Sequence, residues 1–497
     1  MSSQASDLPL GWETASLGDI VLERVEQASP GAEPVPYIDI SSVDRTSKRI
    51  GTTQTVGENS APTRARQTVR AGDVLVSMTR PNLNAVALVP GHLDGAVAST
   101  GFDVLRAIRI LPEWIFNRVR THDFVVDVCQ GLQGVVYPAI RPRDVRRHQL
   151  PIPPLAEQRR IVKAIESYFT RLDDAEASLE RVRCNLERYR ASVLQAAVEG
   201  RLVPTEAELA RAERRGYETG SELITRTCKG IASRWLSKSG KPNSLAGNGE
   251  GLPELPEGWC WSTWAQLAER VTVGFVGPMK NEYREDGIAF LRSQNVRANR
   301  FDPDGLKRVS AGFHKAISKS ALRPGDILIV RSGNVGTACV VPDSLTEANC
   351  SDMVVVQGPK AIRPRFGAYY MNSMATARMV QRRKVGIALS HFNTQSVASL
   401  PVPVPPLAEQ NRITERTELL LSVVDEVESL VARSRDRCSG LRQAVLRIAI
   451  EGRLVDQDPA DEPASVLLER IRAERAKVDS SPHTPRRRGN PRKATQS

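Results

Sequence analysis

Apolar residues recur along one stretch of the chain at spacings of alternately four and three: Ile161, Ile165, Tyr168, Leu172, Ala175, Leu179, Val182, Leu186, Tyr189, Val193 and Ala196. That period predicts one long helix carrying a narrow apolar stripe, the seam of a coiled coil. The register returns at Ile413, Leu420, Val424, Val427, Val431, Leu441, Val445 and Ile448, and weakens at Thr417, Ser434 and Cys438. A stripe of this kind needs a partner stripe, and each copy is the natural partner of the other.

The two stretches are a sequence repeat. Residues 153–203 align with 405–455 without a gap and are identical at 22 of 51 positions, opening with "PPLAEQ" and closing with "EGRLV". Pro153 and Pro154 suit a helix start, Glu157 lies in the first turns where the helix dipole favours an anion, and Gly200 follows the last periodic residues. At about 1.5 Å per residue, roughly 43 residues predict a rod of about 65 Å. The segments before the rods correspond faintly: "LPLGWETASLGDIV" from Leu8 with "LPEGWCWSTWAQLAERV" from Leu255, and "AGDVLVSMTRPNLNAVALVPG" from Ala71 with "PGDILIVRSGNVGTACVVPD" from Pro324. The latter pair reads as strand, polar loop, strand. Short amphipathic helices are expected from Glu222 and Ala464, a flexible connection from Gly240, and a disordered basic tail from Thr484. The organisation is therefore a globule at 1–152, a rod at 153–203, a short helix and linker at 204–252, a globule at 253–404, a rod at 405–455 and a short helix with tail at 456–497.

Composition narrows the classes. The net charge of +12 favours a polyanion, and it is uneven: residues 253–404 hold 19 Lys and Arg against 12 Asp and Glu, whereas 1–152 hold 16 of each. The first globule must therefore use a local patch if it binds nucleic acid. Seven scattered cysteines without a C-x-x-C pair read as reduced structural thiols, and no metal site is expected. No run of eighteen apolar residues or leader pattern is seen, so a cytoplasmic chain without membrane contact is expected. Phosphate-loop, H-E-x-x-H, G-x-S-x-G, dinucleotide-fold and [DN]-P-P-[YF] motifs are missing, and the glycines of "ALVPGHLDG" and "VTVGFVGPM" read as turns. No catalytic residue is assigned.

Two dissimilar globules, each followed by a helix that opens with "PPLAEQ" and ends in "EGRLV", resemble the DNA-specificity subunit of type I restriction-modification systems. The resemblance implies an α/β fold class: two mixed α/β target recognition domains separated by two long antiparallel coiled-coil helices with a pseudo-twofold internal repeat. It implies that each globule reads one half of an interrupted site in double-stranded DNA. The rods would dock two modification (methyltransferase) subunits, and a restriction (translocase and endonuclease) subunit where the system has one. No cofactor is expected in this chain; S-adenosylmethionine, ATP and Mg belong to the partners. Outward groups such as Arg159, Arg160 and Lys163 are left for those partners.

For base reading, Arg suits guanine and Asn or Gln suits adenine, while Ser and Arg also hold phosphates. The richest stretch is Arg292, Ser293, Gln294, Asn295, Arg297, Asn299 and Arg300, followed by Arg331, Ser332 and Asn334, then Ser390, His391 and Asn393. The matching first-half groups are Ser41, Ser42 and Arg45; Arg80, Asn82 and Asn84; and Gln130, Gln133, Tyr137 and Arg141. The competing readings are solvated loop residues on a coiled-coil adaptor that binds proteins, and an enzyme with its own methyltransferase or nuclease site. Salt-dependent DNA binding separates the first from recognition, and methyl transfer by the isolated chain would support the second.

Overall fold

A computed structural model describes residues 8–27, 33–130, 138–229, 252–383 and 393–479. The chain folds into two compact units, Met1–Leu179 with Arg433–Ser497 and Glu180–Ala432. Each long helix, Leu155–Val198 and Leu407–Ile450, contributes residues to both.

In the first unit a four-stranded sheet runs in the order Gln54–Val56, Val35–Ile38, Val97–Ser99, Ala65–Thr68, with a parallel pair at its centre. A three-stranded antiparallel sheet, Phe102–Leu105, Val74–Ser77, Val86–Leu88, continues from it. The expected strand–loop–strand of residues 71–91 is the Val74–Ser77 and Val86–Leu88 pair. Glu13–Ser16 pairs with Gln149–Ile152, so the start of the globule is tied to the strand that feeds the long helix.

The second unit repeats this plan. Its four-stranded sheet is Ala268–Val273, Met353–Pro359, Ile327–Val330, Ala338–Val340, and its five-stranded sheet has Ile288–Leu291 parallel to Ala348–Cys350. Cys260–Thr263 pairs with Pro401–Val404 as the entry strand. Ahead of the second globule, the helix expected from Glu222 is the short Gly220–Thr227, which starts two residues earlier because Thr219 caps it, and a further helix spans Glu206–Glu213.

The repeated motifs meet in the cores. Trp12 donates its indole N–H to Glu157 Oε2 at 2.9 Å, and Trp259 donates to Glu409 Oε1 at 2.9 Å. Both glutamates are buried, so their role is a latch and not only the dipole contact expected from Glu157's position. Gln158 donates to Pro153 O and accepts the N–H of Leu111; Gln410 donates to Pro405 O and accepts that of Arg363. The glycine of "EGRLV" closes the same tryptophan from the other side. Gly452 (φ 68°) would, with a Cβ, stand 2.4 Å from Pro9 Cγ and 3.0 Å from Trp12 Cζ2; Gly200 (φ 69°) would meet Pro256 Cγ at 2.5 Å and Trp259 Cζ2 at 3.1 Å. In each unit one tryptophan thus joins the globule, the start of one long helix and the end of the other.

The helices pair antiparallel within each unit, held by ionic contacts at repeated positions. Arg442 reaches Asp173 (2.7 Å) and Glu176 (3.1 Å) in the first unit, and Arg190 reaches Asp425 (2.5 Å) and Glu428 (3.1 Å) in the second. The apolar stripe is buried near the helix ends at Ile161, Ile165, Val193 and Ile413, and in the middle of the second helix at Val424 and Val431. Tyr168, Val182, Tyr189 and Leu441 are instead 39–48% exposed, while of the three weak positions of the pattern Thr417 and Cys438 are buried and Ser434 is exposed. The half-buried positions are instead 169, 176, 183 and 190, one residue further on: after Ile165 the seam takes a second four-residue step in succession and then keeps its heptad in the shifted phase, the way a helix of 3.6 residues per turn makes up its mismatch with a seam of 3.5.

Gly452→Ala is expected to lower the melting temperature, while Gly440→Ala in the helix that precedes it, where an added Cβ meets nothing within 4 Å, should hold or raise it. Trp12→Phe, which leaves the buried Glu157 carboxylate without its donor, should cost roughly 1–3 kcal/mol in urea denaturation. Burial raises the carboxyls of Glu157 and Glu409 above their ordinary 4.5. A raised carboxyl favours the protonated fold, so this contribution is complete below pH 4.5 and is lost as pH rises through the raised values. Replacing both with Gln should flatten the fall in stability over that interval; an unchanged pH profile would show the latch carboxyls to be irrelevant to it.

Candidate nucleic-acid interface

In the second unit three loops leave the same end of the sheets. Val273 and Val330, the last residues of their strands, lie opposite Val354 and Met353 at the beginning of the central strand. Gly274 donates its N–H to Met353 O and Phe275 to Cys350 O, both at 2.8 Å, and Ser351 donates to Leu291 O at 2.9 Å. The corner at Ser351 and Asp352 therefore gathers the chain leaving Val273, Leu291 and Val330. Gly274 is required there, since a Cβ would fall 1.9 Å from Ser351 O.

The predicted residues divide around this corner. Arg331 pairs with Asp352 at 3.3 Å, and Ser332 and Asn334 are exposed in the loop of the strand pair. Ser293 and Gln294 are exposed on a single 3₁₀ turn, and Arg292 beside them donates to Gly305 O at 2.7 Å with its guanidinium 6.0 Å from the Tyr283 ring. Asn295 is a correction to the expected reader. It is fully buried, accepts the Arg292 N–H and donates to the carbonyls of Asp302 and Asp304, so its amide holds the turn's shape. Asn299 is a second correction: at φ 64° it forms the tip of the hairpin Val296–Arg297 and Arg300–Phe301, and its Oδ1 accepts from Asn372 at 2.6 Å. Arg297, held by Asp302 at 3.1 Å, and Arg300 sit on that hairpin and line a cleft of about 1120 Å³ with Arg365, Glu415 and Asp425, away from the corner.

The first unit has the corresponding corner at Thr100 and Gly101. Met78 donates its N–H to Gly101 O, Thr100 to Arg64 O, Arg80 to Pro138 O at 2.7 Å and Ile140 to Met78 O. The turn Ile40–Ser42 packs on the corner through Ile40, whose Cδ1 would lie 2.8 Å from a Cβ at Gly101. Ser41 is exposed and donates to Asp39, while Ser42 accepts the Asp39 N–H, the same turn-closing role that Asn295 fills in the other half. Arg45, Arg80 and Asn82 are exposed. Asn84 is a correction: in a left-handed conformation (φ 46°), its carbonyl accepts from Lys48 Nζ at 2.5 Å and its amide donates to Arg120 O. Burial and the nearby Arg120 push the Lys48 ammonium down to about 8.

Gln130 is exposed and reaches Asp127, Arg141 is exposed at the first residue before a short helix, and Asn393 caps the helix Thr394–Ala398 by accepting the Ser396 N–H at 2.7 Å. Gln133, Tyr137, Ser390 and His391 lie outside the described residues. Of the groups left for partner chains, Arg160 is engaged with Asp461 at 2.6 Å, whereas Arg159 and Lys163 are exposed. Sequence reasoning missed the loop after Val273, which carries no cluster of base-reading residue types, and Arg64, whose carbonyl accepts the Thr100 N–H at the first corner. Among the described residues no group of three or more His, Cys, Asp or Glu is placed to hold a metal, and no helix is long and apolar enough to cross a membrane.

Residues 277–426 match the family described as Type I restriction modification DNA specificity domain. The chain is 26% identical over 340 residues to the EcoBI type I restriction enzyme specificity subunit of Escherichia coli, a match spanning 66% of this chain and 64% of that subunit. It is 24% identical over 500 residues to the StySPI specificity subunit of Salmonella potsdam, spanning 94% and 96% of the two chains. The fold is shared with the HsdS subunit from Thermoanaerobacter tengcongensis (TM-score 0.51, 24% identity, 91% of this chain and 100% of that one). It is shared more closely with a chain solved in work on complex assembly and conformational transition of the type I R-M system (TM-score 0.68, 24% identity, 90% and 100%). With the duplicated globule-and-helix plan, the chain carries a type I restriction modification DNA specificity domain at residues 277–426 and is similar along nearly its whole sequence to the specificity subunits of type I restriction enzymes.

Proposed function

We propose that the chain is the non-catalytic, sequence-specific DNA-binding subunit of its complex, each globule reading one half of an interrupted duplex site. The observation that carries this is the repeated corner: in both units Arg, Ser, Asn and Gln side chains stand on loops hydrogen-bonded to one end of equivalent sheets, the exposed Arg80, Asn82 and Ser41 in one, the exposed Asn334 and Gln294 with the half-buried Arg331 in the other. Such groups bind phosphates and base edges, and rigid strands hold them in place. Adenine N6 methylation and restriction are then the work of partner chains: two modification subunits with S-adenosylmethionine, and a restriction subunit with ATP and Mg where one exists. The complex works in the cytoplasm, where the DNA is. The protein-binding adaptor reading is not favoured by the matched DNA specificity domain.

Binding of the complex to its duplex should weaken steeply with salt. Arg331→Ala and Arg80→Ala should lower affinity and flatten the log–log salt dependence by about 0.9 for each phosphate that the arginine neutralises in the wild type. Asn295→Ala should act differently, lowering stability through the freed carbonyls of Asp302 and Asp304. Binding that ignores salt, with modification subunits present, would revive the adaptor. Exchanging residues 1–152 for the same segment of a relative should change one half of the motif mapped by base-resolution N6-methyladenine sequencing; a change in both halves would contradict independent readers.

A further inference from the structure

Among the described residues of the second globule, the large apolar side chains left exposed are Val276, Val335 and Met374. Two of the three stand on the loops that leave the reading corner. Both loops are built to present them. Phe275 turns inward, its ring 5.3 Å from that of Phe313 in edge contact, and a Cβ at Gly277 would press on it at 2.7 Å. Val276 between them is left 65% exposed. In the other loop Gly336 donates to Val330 O, Val330 to Thr337 O and Thr337 to Asn334 O, a closed tip in which Gly333 (φ 79°) and Gly336 (φ 91°) take left-handed turns and Val335 faces solvent.

A rigid loop that displays valine is poorly explained by solubility, because turns tolerate polar residues at no cost. The surroundings indicate the occupant. Lys280 and Arg331 belong to the same loops and Arg292 to the third loop of the corner, and the globule as a whole has 19 Lys and Arg against 12 Asp and Glu, which suits a polyanion and repels a basic or purely apolar partner. On duplex DNA the apolar surfaces reachable from a loop tip are thymine methyl groups and the faces of partly unstacked bases. The corresponding first-globule loop, residues 79–84, exposes Asn82 where this one exposes Val335.

We propose that Val276 and Val335 are specificity-determining residues that make apolar contacts with bases of the second half-site, while the arginines of the corner loops hold its phosphates. The proposal rests on the DNA-reading function above and adds how one half-site is discriminated. The test uses the assembled complex of this chain with its modification subunits and a duplex carrying the mapped motif, compared with duplexes scrambled in the first or the second half-site. In Val276→Ser/Val335→Ser, discrimination at the second half-site should fall at least about tenfold, with first-half discrimination and the salt slope unchanged. Val276→Ile/Val335→Ile should retain it. Unchanged second-half discrimination in the serine variant overturns the proposal, as does equal loss at both half-sites, which would mean general damage to the fold. If the wild-type complex discriminates neither half, the recognition function itself fails, a result distinct from either.

Discussion

A single indole N–H donated to a buried carboxylate holds three separate parts of each unit together. Trp12 brings the start of the first globule, Glu157 the start of one long helix, and Gly452 the end of the other; Trp259, Glu409 and Gly200 do the same in the second unit. The arrangement tolerates little change because each member excludes alternatives. The carboxylate is buried and would be costly without a donor, the glycine has a left-handed backbone and no room for a Cβ, and the tryptophan is large enough to touch both. The neighbouring glutamine completes the joint by capping backbone groups that the proline turn leaves open. The "PPLAEQ" and "EGRLV" motifs are thus two faces of one joint.

The ionic contacts between the helices follow the same repeat. Arg190, Asp173 and Glu176 recur as Arg442, Asp425 and Glu428, and each arginine finds the acids of the opposite copy within its own unit. Partly exposed pairs of this kind contribute modestly to stability, about 0–1 kcal/mol each. Their value is in register: a helix shifted by one turn would bring these arginines away from their acids, whereas an apolar stripe alone slides more easily. Phe169 adds to this in the first unit, with the guanidinium groups of Arg120 and Arg442 at 4.8 and 5.5 Å from its ring.

The plan of the chain was legible in its sequence because repetition and periodicity are local signals. The helix starts after Pro154 and Pro406, the strand pairs at 74–88 and 327–340 and the turn at Gly200 could be read directly. The facing of the helices was not, because the inward phase shifts by one residue after Ile165 and is decided by partners far away in sequence. The candidate site residues were half legible. Composition located the loops, but an asparagine that reads a base and one that closes a turn look the same in sequence, and only the carbonyls around Asn295 and Asn84 distinguish them. Valines at loop tips carry no chemical signature at all until their exposure is seen.

Separate residues for the joint and for the corner loops govern how such a chain can change its exposed surface. The latch uses Trp, Glu, Gln and Gly at the base of the globule, and the ionic register uses helix residues; neither borrows a side chain from the corner loops. Substitution of an exposed loop residue therefore leaves the joint's hydrogen bonds intact, and surface changes away from such features are small in stability, within about 0.5 kcal/mol. The exceptions are the turn-closing groups Ser42, Asn84, Asn295 and Asn299, which lie among the loops but belong to the scaffold. Binding preference can drift on the remaining loop positions while the frame stays fixed, and the two halves show the outcome: a nearly identical joint beneath corners whose exposed residues differ, Asn82 in one and Val335 in the other.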